Sequence, residues 1–402
     1  MNADREPSGR RFIAERFALV NGRIVLPTTI VRGQALLVEQ GQITGLTELG
    51  QLDDGAAQID VGGRLISPGL IDIHIHGAQG HTFNEPTAEA FAAITRENAR
   101  HGVTSLLATT ATDALENLVA VLAFADHWMQ QPQRGAQVLG VHIEGPYFNQ
   151  AQRGAQDPAH IRNPNDGTPA QLLEFREIIR ILTFAPELPG ALDLTRQLVE
   201  LGIVAAAGHS SAREEDVKPA IEAGLRHTIH LWSAQSTTIR EGPWRKPGLL
   251  EVSLTDERLT GEIIADGKHL PPTLMKLAYK CLGPDRLCVI SDATSGAGLP
   301  DGTRFRMGGM EYEVSDGVGM MLDRSAFAGS TTLLNQMLPI LTEQVGIPLV
   351  EAIRMASLTP ARVIGVDQHK GSLEAGKDAD IVIFEPDFTV WRTIIGGKWT
   401  GE

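Results

Sequence analysis

Two histidines one residue apart open the chemistry of this chain: His74 and His76 close the apolar run PGLIDIHIHG. Side chains two positions apart in a strand face the same side, so both imidazoles project together. Two imidazoles on one face at a strand's C-terminal end make half of a metal site. Further along, Glu144 follows an apolar run in GVHIEGPYF, His209 does so in GIVAAAGHSSA, His230 in HTIHLW and Asp292 in LCVISDATSGAG. Each alone has an ordinary reading, as a loop acid, a loop histidine before a helix, or a turn aspartate. Together the six share one feature, since every one ends an apolar run of strand length. Imidazoles and carboxylates without thiolates suit zinc, with iron, manganese or cobalt as alternatives, as one or two ions with positions open to water. Such an ion lowers the pKa of a bound water toward about 7 and supplies a nucleophile at neutral pH. The carboxylate of Asp292 can accept that water's proton and return it to a leaving amine. Amide hydrolysis is the chemistry expected. His142 and His227 lie deeper in their runs and are expected to pack or hydrogen-bond.

Gathering six groups from distant segments requires a scaffold that brings strand ends to one place. Eight strands are predicted at Gly69–His76, Val103–Thr109, Val138–Glu144, Arg180–Ala185, Gly202–Gly208, His227–Leu231, Glu262–Ala265 and Leu287–Ser291. Helical patterns fall at 86–101, 113–131, 190–201, 212–223, 270–282, 331–345 and 349–358. Buried strands alternating with helices over this length predict a (β/α)8 TIM-type barrel, whose active groups stand at the C-terminal strand ends. Before it, FALVNGRIVL, GQALLVEQGQITGLTE and AQIDVGGRLI alternate as short strands with Gly-containing turns, and the tail from Gly371 does the same. The expected organisation is a small β-sandwich domain from residues 1–66 and 367–402 flanking a barrel domain of residues 67–366.

At 402 residues the chain exceeds what one small domain needs, and 42% hydrophobic with 21% charged residues is the composition of a folded protein. A net charge of −14 repels phosphate backbones, which argues against nucleic acid as a partner. A small anion stays admissible, because a metal ion and the local Arg240, Arg245 and Lys246 set the field it meets. No stretch approaches the ~18 apolar residues of a membrane span, so no membrane partner is expected. The N-terminal MNADREPSGRR lacks the apolar core of a signal peptide. Two cysteines, Cys281 and Cys288, fit neither a disulfide framework nor a thiolate metal site, and a cytoplasmic location follows as the expectation.

The segments PGLIDIHIHG, HIEGPYF, GHSSA, HLWSAQ, IADGKH, ISDA, FAGS and GSLEAGKDADIVIF run in order across nearly the whole chain. They resemble the amidohydrolase superfamily and, within it, the N-acetylglucosamine-6-phosphate deacetylase family. The resemblance implies that Glu144, His209 and His230 hold one metal ion, that His74 and His76 serve a second, and that Asp292 is the general acid and base. It also implies substrate contacts at Ala155 and Gln156, at the backbone of Ser233 and Ala234, in the turn from Asp266 to His269, and at Phe327, Ala328, Gly329 and Ser330. An arginine that reaches the substrate phosphate from a neighbouring subunit corresponds to Arg245, with Arg240 competing, which implies a homodimer. The implied substrate is a small N-acetyl amino sugar phosphate.

Two segments depart from the family pattern. Where the family has Lys-Lys-Gly-x-His, this chain has Gln152, Arg153, Gly154, Ala155 and Gln156, so an uncharged amide replaces the histidine that meets the sugar or the scissile carbonyl. The usual H-L-[FY]-N-A-M reads His230, Leu231, Trp232, Ser233, Ala234 and Gln235. Both changes spare the metal groups and open the substrate question. The candidates are N-acetylglucosamine 6-phosphate, its galactosamine isomer, an unphosphorylated amino sugar or another N-acyl compound. A retired barrel used for binding or scaffolding is the non-enzymatic alternative, and retention of all six groups argues against it.

Overall fold

The computed structural model describes residues 14–53 and 55–400. The outer ends of the expected β domain, including the MNADREPSGRR stretch, lie outside the described residues. Eight strands form one parallel sheet: Leu70–Ile75, Val103–Thr110, Gln137–Glu144, Ile179–Phe184, Val204–Ala207, His227–Thr228, Thr260–Ile264 and Leu287–Ile290. The last strand returns to the first, where the Asp292 N–H donates to the His74 carbonyl at 2.9 Å and the His76 N–H to that of Ala293 at 2.8 Å. The strands are buried on both faces, as a barrel core covered by helices demands. Their helices carry apolar stripes. In Ala88–Arg100 the buried positions Phe91, Ile94, Thr95 and Asn98 recur at helical spacing, and the Thr87 hydroxyl caps the Ala90 N–H at 3.3 Å. Phe91 then meets Phe124 of the next helix, Leu115–Met129, edge to face at 5.0 Å.

Strands from both ends of the chain build two further sheets. Arg16–Val20, Gln34–Glu39, Gln42–Glu48 and Ala57–Asp60 form one, and Arg23–Val25, Ile30–Val31, Leu65–Pro68, Ile381–Phe384, Val390–Ile395 and Lys398–Thr400 form the other. Phe17, Leu19 and Val38 of the first share a core with Ile24, Ile66, Ile383 and Ile394 of the second. Leu65–Pro68 straddles the boundary expected at residue 66 and pairs with Ile381–Phe384, so one strand passes directly from this layer into the barrel.

Several features differ from the sequence expectation, among them the helix Leu249–Thr255, which falls in none of the expected helical patterns. Between the last barrel strand and the following helix, a four-stranded antiparallel sheet comprises Arg304–Met307, Met310–Ser315, Val318–Met321 and Phe327–Ser330. The helix predicted over 331–345 is the α-helix Leu334–Pro339 running into a wider-turned π segment at Ile340–Gln344, and that over 349–358 is two short helices, Leu349–Met355 and Leu358–Val363. The sixth strand keeps only His227–Thr228, because the backbone turns at His230, whose φ is 21°.

Candidate active site

The C-terminal strand ends meet over the barrel axis, and all six residues singled out from the sequence arrive there. Glu144 is the centre. Its Oε1 lies 3.1 Å from His209 Nε2, 3.0 Å from His230 Nε2 and 3.5 Å from His74 Nε2, while Oε2 lies 3.2 Å from His76 Nε2. Asp292 Oδ1 is 3.3 Å from His76 Nε2. In each of His209, His230 and His74 the other ring nitrogen is anchored: Nδ1 of His209 on the Gln152 carbonyl at 2.9 Å, of His230 on that of Ser233 at 3.2 Å, and of His74 on the Glu262 carboxylate at 2.8 Å. An Nδ1–H donated to an acceptor leaves Nε2 with its lone pair exposed, which is the tautomer that ligates metal. His74 Nε2 is buried without a hydrogen-bond partner. The donors of His74, His76 and Glu144, and those of Glu144, His209 and His230, each lie within 4.8 Å of one another. This convergence of buried imidazoles on a shared carboxylate, with His74 Nε2 left without a partner of its own, fits a divalent cation.

Charges within the site hold one another. In the metal-free site burial opposes charge on His76, but the hydrogen bonds its ring donates to Asp292 and Glu144 outweigh it and raise the pKa to about 9. Burial likewise opposes charge on Glu262, yet the imidazoles of His74 and His227 hold its carboxyl well below the ordinary range. His142, 4.6 Å from His74 ring to ring, is pushed down to about 3 by burial and by the His74 charge. It bonds the Ile73 carbonyl and the Thr183 hydroxyl, the packing role expected for it, while His227 bonds Glu262 and Thr260.

Residues 65–400 match the sequence profile of the amidohydrolase family. The chain belongs to the amidohydrolase family. It is 32% identical over 387 residues to the N-acetylglucosamine-6-phosphate deacetylase of Haemophilus influenzae, covering 96% of this chain and 99% of that protein. It is 34% identical over 370 residues to the N-acetylgalactosamine-6-phosphate deacetylase of Escherichia coli O157:H7, covering 88% and 96%. The crystal structure of N-acetylglucosamine-6-phosphate deacetylase from Pasteurella multocida superposes with a TM-score of 0.90 at 30% identity, covering 96% of this chain and 100% of that one. A Mycobacterium smegmatis relative in complex with N-acetyl-D-glucosamine-6-phosphate gives 0.89 at 29% identity, covering 97% and 100%. Membership of this family implies a divalent metal, which the donor set fits.

The substrate positions implied by resemblance divide in this amidohydrolase. A cavity of about 190 Å³ over the site is lined by Ala155, Gln156, Ser233, Ala234, His269, Phe327 and Gly329, together with five of the six central groups. His74 is the exception, enclosed beneath it at 0% exposure. Asp266 is outside the lining and fixes His269, accepting from its Nδ1 at 2.7 Å and its backbone N–H at 2.9 Å. Ser330 supports Asp292: its N–H donates to the Asp292 carbonyl at 2.8 Å and its hydroxyl to that of Ser291 at 2.7 Å. Gly329, at φ 66°, must be glycine, since a Cβ there would meet the Asp292 carbonyl oxygen at 2.5 Å. Ala328 packs in the core of the four-stranded sheet. Arg245 and Arg240 face each other across an exposed hairpin, Ile239–Glu241 with Trp244–Lys246, and neither lines the chain's own cavity.

Sequence reasoning placed Glu262 on a strand but gave it no part in the site. Its Oε2 accepts from His74 and, at 3.3 Å, from the His230 backbone N–H, and Oε1 meets His227 at 2.9 Å. One charged residue inside the otherwise apolar run TGEIIA was the available signal.

Proposed function

We propose that this chain hydrolyses the acetamide of N-acetylglucosamine 6-phosphate, or of a close N-acetyl amino sugar phosphate, to the free amine and acetate. The observation that carries the reading is the convergence of Glu144, His74, His76, His209, His230 and Asp292 at the floor of a sugar-sized cavity. Glu144, His209 and His230 would hold one divalent ion and His74 and His76 a second, with zinc the first choice and iron, manganese or cobalt the alternatives. When bound, such an ion polarises the acyl carbonyl and activates water.

The chain's own groups do the rest. Asp292, set beside His76, accepts a proton from the attacking water and returns it to the departing nitrogen. Asp266 holds His269 by Nδ1, leaving Nε2 free to meet a polar group of the sugar phosphate. Among the described residues no lysine or arginine lines the cavity, which supports a phosphate contact from Arg245, or from Arg240, of a neighbouring subunit in a homodimer. Free Cys281 and Cys288 are consistent with a reducing, cytoplasmic setting, and among the described residues no helix is long and apolar enough to cross a membrane.

The galactosamine isomer is the second reading, favoured by the 34% identity to a deacetylase of that sugar phosphate. Acetate release from the two sugar phosphates and their unphosphorylated forms decides among these. The expected result is a kcat/KM above about 10⁴ M⁻¹s⁻¹ for one phosphorylated sugar. Inactivity toward all four with metal restored would overturn the proposal, and an unchanged phosphate preference in Arg245→Ala would remove that residue from it.

A further inference from the structure

The loop from Gln152 to Gln156 wraps the site, and its two ends do related work. At one end the Gln152 carbonyl anchors His209 Nδ1. At the other, the Gln156 side chain reaches the carboxylate that both histidine pairs share. Gln156 Nε2 donates to Glu144 Oε2 at 2.5 Å, and its Oε1 accepts from the Thr112 backbone N–H at 2.7 Å. The amide has one orientation that satisfies both neighbours, because a backbone N–H only donates and an ionised carboxylate only accepts. The turn behind it is braced. Gln156 N–H donates to the Arg153 carbonyl at 3.0 Å, Arg153 Nη1 to the Gln156 carbonyl at 3.2 Å, and the Tyr312 hydroxyl to the Ala155 carbonyl at 2.6 Å. Gln156 is 5% exposed.

We infer that Gln156 is a positioning residue for Glu144, fixing the rotation of its carboxylate so that Oε1 serves His209 and His230 while Oε2 faces His76. With both ends of its amide engaged, Gln156 lines the cavity mainly as the support of a ligand. A carboxylate without this support can turn about its last bond and lose its aim at both histidine pairs at once. The inference rests on the metal site of the proposed function and not on the identity of the substrate.

Zinc affinity of the metal-stripped chain, measured by chelator competition without substrate, tests it. Gln156→Met keeps length and removes both hydrogen bonds, and Gln156→Asn keeps the amide but falls short of Glu144. Both should bind zinc about 10–100-fold more weakly than the parent chain, the range typical of losing a ligand's hydrogen-bond partner. Gln156→His, whose neutral ring also offers one donor and one acceptor, should recover most of that loss. With the preferred sugar phosphate, kcat at limiting zinc should fall while KM holds. Parent-like zinc affinity in either the Met or the Asn variant overturns the inference, as does a rise in KM with zinc affinity unchanged, which would make Gln156 a substrate contact. A parent chain that binds no zinc would instead overturn the metal site itself.

Discussion

The histidines around Glu144 fall into two pairs that the fold supports in opposite ways. His74 lies within the regular strand Leu70–Ile75 and His76 follows it directly, neither with a positive φ. His209 and His230 stand past the ends of their strands at φ 46° and 21°, and Asp292 does so at 46°. For residues other than glycine that backbone costs about 1–3 kcal/mol each and persists only where the surroundings enforce it. The anchors differ in the same sense. His209 and His230 lean on backbone carbonyls, whereas His74 leans on the buried side chain of Glu262 and His76 Nδ1 is buried with no partner. Within the strand-borne pair His74 is therefore aimed by a buried side chain and His76 by its regular backbone position, and the turn-borne groups are aimed by the chain path itself. Loss of one side chain, Glu262, removes the anchor on His74 Nδ1, whereas the Nδ1 anchors of His209 and His230 are backbone carbonyls that no side-chain truncation removes.

The sharpest way to separate the two is at the group that is turn-borne yet ligates through no ring. Asp292→Asn keeps shape and the backbone bond to Ser330 but cannot accept the water's proton, so kcat should fall by about 10²–10⁴. Metal content measured on the same preparation should stay at the parent value. A variant that keeps both metal and activity would refute Asp292 as the acid and base. A smaller effect is expected at the side-chain anchor. Glu262→Gln removes the charge that holds His74 Nδ1 and should weaken an ion held by the strand-borne pair by about 10–100-fold, with one held by Glu144, His209 and His230 weakened less, through the single 3.3 Å bond to the His230 N–H. Zinc titration should then separate a tight equivalent from a weakened one. Equal loss of both would show that the pairs are not independently supported.

The same contrast explains what was legible in the sequence. His74, His76, Glu144, His209, His230 and Asp292 are visible because apolar strand runs end in them, and a barrel delivers strand ends to one place. Positions within a run carry no such mark. Glu262 acquires its role from His74 one strand beyond its neighbour, a pairing 188 residues apart that no local spacing encodes. The four-stranded sheet did have local signals, since Arg304–Met307 alternates exposed and buried, and Gly308-Gly309 and Asp316-Gly317 are hairpin turns. Its short strands are masked in the sequence by the longer βα rhythm on either side. Ser330 and Asp266, implied as substrate contacts, also hydrogen-bond Asp292 and His269, pairings that sequence motifs do not express.

The finest test compares the pairs with no metal present. Asparagine is several-fold enriched among non-glycine residues with positive φ, so His209→Asn fits its backbone while losing the bond to Gln152 and the stack on Phe148 at 4.4 Å. His74→Asn gains nothing from its strand backbone and leaves one oxygen of the fully buried Glu262 short of its imidazole partner. An unmet buried acceptor costs about 1–3 kcal/mol, more when charged, so the metal-free His74→Asn chain should be the less stable by about that amount. Urea unfolding of both variants in chelator measures the difference. Equal midpoints with equal slopes would mean that the turn at His209 holds no strain for asparagine to relieve and that Glu262 is satisfied by His227 and the His230 N–H alone.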